Sequence, residues 1–466
     1  MTSNRQAHAR KHKLAAVACA TLGLLATMPA FSADAEVEAL KQELAAQRKL
    51  IEQLLANQKQ GGGSPTSAQE VDQRLREGGK QPIAAPEPAT NVPSEGNMQF
   101  RFYGIADVSL SDSNSGYGNK VRVDGGGGMA ASRLGAQVTR TFGDNYKATA
   151  VVEGGMQFGT GSVGAPAPTL GLNDTTNSSG GSTGTGPVIF ARQAWAGLDA
   201  GFGQISIGRQ YTASYIGAAA IGSVFGDGLY GITGSFTPVV GGLASRMNNS
   251  IAWATPKFGG FYGQFTYTSG ANNNVSSNTA VGTTMTNSKA GRGADLGLLY
   301  TDNRMRAALT TWDINANSWV TAGETGLAKK KGIQLSANYD FGWVKVAGDL
   351  LHGTILGGNY QNVTKTLSNS TGYGVSAQAP IAGKHHFMVS YTVVNDNSAL
   401  NKDGKLYALA YWYDLYTKTT LYVSAGKMQN NANSTYTLND GGNIVGNDAR
   451  PGYSPRAIEG GLNYRF

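Results

Sequence analysis

The sequence has almost no cysteine, little charge, few histidines and, past its first 35 residues, no long apolar run. Its one cysteine, Cys19, lies in an apolar stretch near the start. If that stretch is a leader, the rest of the chain has no thiols, which excludes disulfides and thiol redox chemistry. Charged residues make up 15% of the chain, whereas a soluble globule carries about 25%. Beyond residue 35 no run reaches about 18 apolar residues, so membrane-crossing helices are excluded. Only His352, His385 and His386 follow residue 35. No serine, histidine and acid fall together by parity and height, and no metal-ligand spacing occurs. The expectation is therefore no enzyme, no metal and no cofactor. The net charge is +8, but the cations are scattered, with one short cluster at residues 329–331. There is no nucleic-acid motif, so no nucleic-acid partner is expected.

What the chain does have is 65 glycines among many Asn, Ser, Thr and Tyr, with only 40% hydrophobic residues. That balance suits strands with one face toward lipid and the other toward water. Residues 1–35 read as a signal peptide. Arg10, Lys11 and Lys13 precede an apolar stretch over residues 14–27, and cleavage is expected after Ser32 or Ala35. In residues 36–60, Val37, Leu40, Leu44, Gln47, Ile51 and Leu54 recur by threes and fours. This is a heptad seam with one polar member, predicting a short coiled coil; a lone amphipathic helix is the alternative. Residues 61–97 are rich in Gly, Pro and Ser and read as a flexible linker.

From residue 98 the period becomes two. Phe100, Phe102 and Leu110 alternate with Arg101, Asp107 and Ser109, and Ile333, Leu335 and Tyr339 alternate with Gln334, Ser336 and Asn338. Seven short connections fall near residues 143–145, 200–204, 256–260, 302–303, 341–342, 381–384 and 415–416. Eight long polar segments fall near 111–131, 159–188, 210–245, 270–292, 315–329, 354–371, 395–404 and 429–454. Together they join sixteen strands. The predicted fold for residues 98–466 is all-β: a closed, antiparallel, sixteen-stranded transmembrane barrel with short periplasmic turns and long extracellular loops. The last strand closes on the first. Phe466 is expected at the periplasmic rim, with Tyr146, Phe258, Trp343, Tyr413 and Tyr416 in a girdle at the same end.

The stretches RFYGIADVSL, SRLGAQVTRTFGDNYKATAVVEGG, ARQAWAGL, GQISIGRQYTASY, RMNNSIAWATPKFGGFYGQFTYTSG and the terminal GLNYRF resemble the Gram-negative trimeric general porins, especially their betaproteobacterial and neisserial branch. The resemblance is densest over residues 100–270 and at the C-terminus; residues 36–97 fall outside it. It implies a homotrimer in the outer membrane, among its lipid and lipopolysaccharide, with the third long loop folded into each pore. It also implies a terminal Phe466 read by the barrel insertion machinery, and wall arginines facing acids on the inward loop.

Arg133, Arg192 and Arg246 match those wall arginines. Their position agrees: they stand about ten, eight and ten residues above the next short turn, at similar heights, and a lipid-facing arginine at mid-membrane costs roughly 2–4 kcal/mol. The 210–245 segment holds one charge, Asp227. The acidic half of the constriction is therefore depleted, and mild anion preference is expected. Glu153 and Asp107 share the lumen parity; if both paired with Arg133, selectivity would be near neutral. The leading expectation is a channel for passive diffusion of small hydrophilic solutes and ions. One alternative is a substrate-specific anion channel, for phosphate or an organic acid, marked by a ladder through Arg101, Lys147, Arg306 and Lys345. The other is a structural role in which residues 36–97 tether the barrel to peptidoglycan from the periplasm.

Overall fold

The structure, a computed structural model, describes residues 89–92, 98–114, 116, 118–124, 128–142, 146–163, 189–226, 240–270, 275–278, 283–286, 291–315, 329–360, 363–440, 443–445 and 450–466. The leader, the Val37–Leu54 seam, most of the linker and Asp227 lie outside the described residues.

Sixteen strands among the described residues form the barrel, in one antiparallel sheet. They are β1 (Met98–Asn114), β2 (Arg133–Phe142), β3 (Tyr146–Gln157), β4 (Gln193–Ala200), β5 (Gly203–Tyr211), β6 (Arg246–Ala254), β7 (Phe261–Thr268) and β8 (Gly293–Thr301). After these come β9 (Met305–Asn315), β10 (Lys329–Asp340), β11 (Lys345–Tyr360), β12 (Val363–Ile381), β13 (His385–Asp396), β14 (Gly404–Tyr416), β15 (Thr419–Asn430) and β16 (Arg456–Arg465). Each pairs with its neighbours in sequence, and β16 pairs with β1 from Ile105↔Arg465 to Asn114↔Arg456. Closure leaves no open edge along the seam. Below it, the backbone of Phe466 exchanges two 3.1 Å hydrogen bonds with Gly104. A Cβ at Gly104 would lie 2.3 Å from the Phe466 ring, so the ring sits where only glycine leaves room.

The side-chain pattern is inverted relative to a soluble sheet. Leu335 is 53% exposed on the outer face while its neighbour Ser336 is fully buried inside. The same alternation puts Phe265, Leu298, Val389 and Ile458 outside and Thr266, Asn338, Ser390 and Asn463 inside. In lipid this is the stable arrangement, because the closed ladder satisfies the strand amides and only apolar side chains meet hydrocarbon. Tyr146, Phe258, Trp343 and Tyr416 are exposed at the short-turn end, as the girdle requires.

Two connections differ from expectation. The 354–371 segment is not a loop: β11 and β12 run on to Tyr360 and Val363, bulging around Leu356. Thr354 and Ile355 on one limb and Val363, Thr364 and Thr366 on the other favour the continued ladder, and nothing in a two-residue period marks where the membrane stops. The last turn falls at residues 417–418 rather than 415–416, with Lys418 in the left-handed region at φ 65°.

The third long connection enters the barrel. Thr212 caps a short helical segment over residues 213–221, its side chain accepting from the Tyr215 amide. Asp295 on β8 accepts from the Ala213 amide at 2.7 Å and from the amide and hydroxyl of Ser214. Asn338 on β10 donates to Ile221 O at 2.9 Å, and Ser376 Oγ on β12 accepts from the Val224 amide at 3.0 Å. The returning limb is fixed by Trp312 Nε1 donating to Gly241 O at 2.7 Å. Here backbone meets backbone: Gly241 has φ 70°, and a Cβ on Gly353 would lie 2.4 Å from Gly241 Cα.

Candidate pore constriction

The side of the lumen formed by β1 to β6 carries the arginines. Arg133 opens β2, Arg246 opens β6 and Arg192 immediately precedes β4. Between them sits Glu153 of β3, 3% exposed and facing inward. Its carboxylate accepts from Arg192 Nε at 2.7 Å, Tyr103 OH at 2.9 Å, Gln193 Nε2 at 3.3 Å and Tyr211 OH at 3.3 Å. The Tyr211 hydroxyl in turn accepts from Arg192 Nη2 at 2.7 Å and Arg246 Nη2 at 2.8 Å. The Arg246 guanidinium also lies 4.4 Å from the centroid of the Tyr211 ring, which stacks on Tyr215 at 5.3 Å. Arg133 donates from Nε to Ala131 O at 2.8 Å, and its charge acts on Glu153 together with those of Arg192 and Arg246. Three guanidiniums thus act on one carboxylate, an excess of two positive charges within the cluster.

Of the residues expected here, the structure gathers Arg133, Arg192, Arg246 and Glu153. Glu153 is ion-paired with Arg192 at 2.7 Å. Asp107 does something else. Fully buried on β1, it accepts from the amides of Gly128, Met129 and Ala130, from Tyr422 OH at 2.6 Å and from Asn463 Nδ2 at 2.7 Å. That carboxylate fastens the first long connection to the β15–β16–β1 seam. Arg306, a candidate rung of a ladder, donates to Ala220 O at 3.3 Å and so supports the inward loop.

Sequence reasoning passed over Tyr103, Tyr211, Tyr215 and Asp295. Tyr103 shares the lumen parity of Arg101 and Asp107, which was the available clue. Arg209 was also passed over; it reaches Ala191 O at 2.6 Å and Asn248 Oδ1.

A closed barrel that is apolar outside and polar within, with a loop lodged in its bore and a cationic wall beside that loop, is a membrane channel. A family model described as Gram-negative porin matches residues 67–433. The chain belongs to that family and so resides in the outer membrane; the fold and family are those of channels. Outer membrane porin protein 32 of Delftia acidovorans is 26% identical over 370 residues, covering 78% of this chain and 93% of that protein. Among solved structures, an anion-selective porin from Comamonas acidovorans superposes with a TM-score of 0.58 at 21% identity, covering 79% of this chain and all of the other. OmpT of Vibrio cholerae superposes at 0.54 with 15% identity, covering 81% of this chain and all of the other. At these identities the superpositions speak for the fold.

Proposed function

We propose that this porin is a water-filled path for passive diffusion of small hydrophilic solutes and ions, with a mild preference for anions. The observation that carries the preference is the cluster of Arg133, Arg192 and Arg246 around the single carboxylate of Glu153. Fixed positive charge at a constriction lowers the entry barrier for anions and raises it for cations. The Comamonas porin, described as anion-selective, supports the same sign. The working unit is a homotrimer, consistent with the trimer form of Vibrio OmpT. Phe466 serves the insertion machinery, and no catalytic step is assigned to the protein.

Reconstitution in a planar bilayer under a potassium chloride gradient tests this reading. Stepwise current with a zero-current potential of the anion-selective sign is expected. Absence of steps would refute the channel, and a potential of the opposite sign would refute the role given to the arginines.

A further inference from the structure

The closing strand stops short of the foot of the first. β1 pairs with β2 along its whole lower half, from Met98↔Arg140 to Ile105↔Arg133. On its other side, β16 pairs only as far down as Ile105↔Arg465, and the last backbone link is the exchange between Phe466 and Gly104. From Gln99 to Tyr103 no barrel strand among the described residues lies on that side. A bare ladder edge is a template for any extended chain that reaches it.

The edge is filled from upstream in the same chain, within the stretch whose composition reads as linker. Ala89–Val92 forms a strand antiparallel to β1, with Ala89 opposite Phe102 and Val92 opposite Phe100. Because β2 holds the other edge at those residues, this strand takes the place in the sheet that a longer β16 would take, below the C-terminus. Three steps along it match two along β1, a one-residue bulge. The sequence brackets it: Pro88 and Pro93 stand immediately before and after, and proline lends no amide to a ladder, so pairing is confined between them. Thr90 and Val92 favour extended backbone, and Ser94, Gly96 and Asn97 favour a turn ahead of Met98. Val92 and Phe100 are eight residues apart, whereas Ser109 and Glu459 meet across 350. The local pair can therefore form long before the ring closes.

We propose that Ala89–Val92 is a strand latch donated by the chain to its own barrel. It seals the foot of the β1 edge against pairing with a foreign strand. It keeps Gln99–Tyr103 ordered below the point where β16 ends, and it fastens the chain upstream of the barrel to the wall at the seam. The role is independent of ion selectivity.

Two experiments on the full-length protein test the latch, both in a Cys19→Ser background that leaves no other cysteine. In the first, Ala89→Cys with Phe102→Cys should close an intrachain disulfide on oxidation, since direct partners in a ladder lie within disulfide reach. Ala89→Cys with Ala136→Cys, the partner of Phe102 on the opposite edge, should not. Equal yields from the two pairs overturn the latch. So does a disulfide linking two copies, which would give the strand to a neighbouring subunit. In the second, Thr90→Pro with Asn91→Pro removes two amides from the segment. Hydrogen exchange at residues 99–103 should quicken by about tenfold or more, with residues 106–108 unchanged because β16 still covers them. Heat-modifiable mobility on gels shows that the barrel is folded. Unchanged exchange at 99–103 in the folded variant overturns the sealing role. A raised single-channel conductance would place the segment in the bore rather than the wall and overturn it too.

Discussion

Replacing Glu153 with glutamine removes the negative charge set among three arginines, and its effect on selectivity follows from the geometry. The excess at the constriction rises from two positive charges to three. For an ion passing about 7 Å away in a medium near the dielectric constant of water, one charge is worth about 0.6 kcal/mol. Screening at about 0.1 M salt, where the Debye length is about 10 Å, halves this to about 0.3 kcal/mol. Anions gain that amount and cations lose it, so the anion-to-cation permeability ratio should rise by about threefold. The glutamine carbonyl still accepts from Arg192 Nε and Tyr211 OH, while its amide group takes the place of the oxygen that accepts from Tyr103 OH and Gln193 Nε2. The assay is the zero-current potential of single channels under a salt gradient, with heat-modifiable mobility on gels to show that the barrel is folded. Arg246→Gln should move the ratio the opposite way by a similar factor. A folded, conducting Glu153→Gln channel with an unchanged or lowered ratio would refute the assignment of these residues to the selectivity site.

Four further outcomes are expected. Asp295→Ala strips the acceptor from two amides and a hydroxyl at the start of the inward loop; at about 1–3 kcal/mol for each buried donor left unpaired, the loop should loosen and open-channel noise should rise while the barrel stays intact. Gly353→Ala drives a Cβ into Gly241 and should release the returning limb, seen as altered conductance. Gly348→Ala, whose Cβ meets nothing nearer than 3.7 Å, should behave as wild type in the same recordings. Asp107→Ala removes five donors' common acceptor across the seam and should cost about 3 kcal/mol or more, read as a lower unfolding midpoint in denaturant with little change in selectivity.

The strand count and the alternation of short and long connections were legible because a lipid-facing strand must alternate with period two and each turn interrupts that period; the inward loop was implied by the resemblance to the porins. Arg133, Arg192 and Arg246 were legible for the same reason, since an arginine at that height has only the lumen to enter. The partners were not. Parity places Glu153 and Asp107 on the same face, but it does not say that Arg192 pairs with Glu153. Nor does it say that Asp107 is spent on three backbone amides of the first loop. Those outcomes depend on stagger between strands and on the path of irregular backbone, neither of which has a period. The extension of β11 and β12 past residue 354 was missed because the glycines and polar residues of 357–362 and 368–370 read as loop, although the ladder continues through them.

The seam between β1 and β16 has a kinetic consequence. Ser109 Oγ bonds to Glu459 Oε2 at 2.9 Å across 350 residues of chain, and Asn463 reaches Asp107 across 356. Contacts of that sequence separation are the slowest to form. The first strand emerges early in synthesis and must wait for the last with one side of its ladder unsatisfied. Until they meet, the chain presents two sticky edges, and its productive folding is a race between ring closure and pairing with the wrong neighbour.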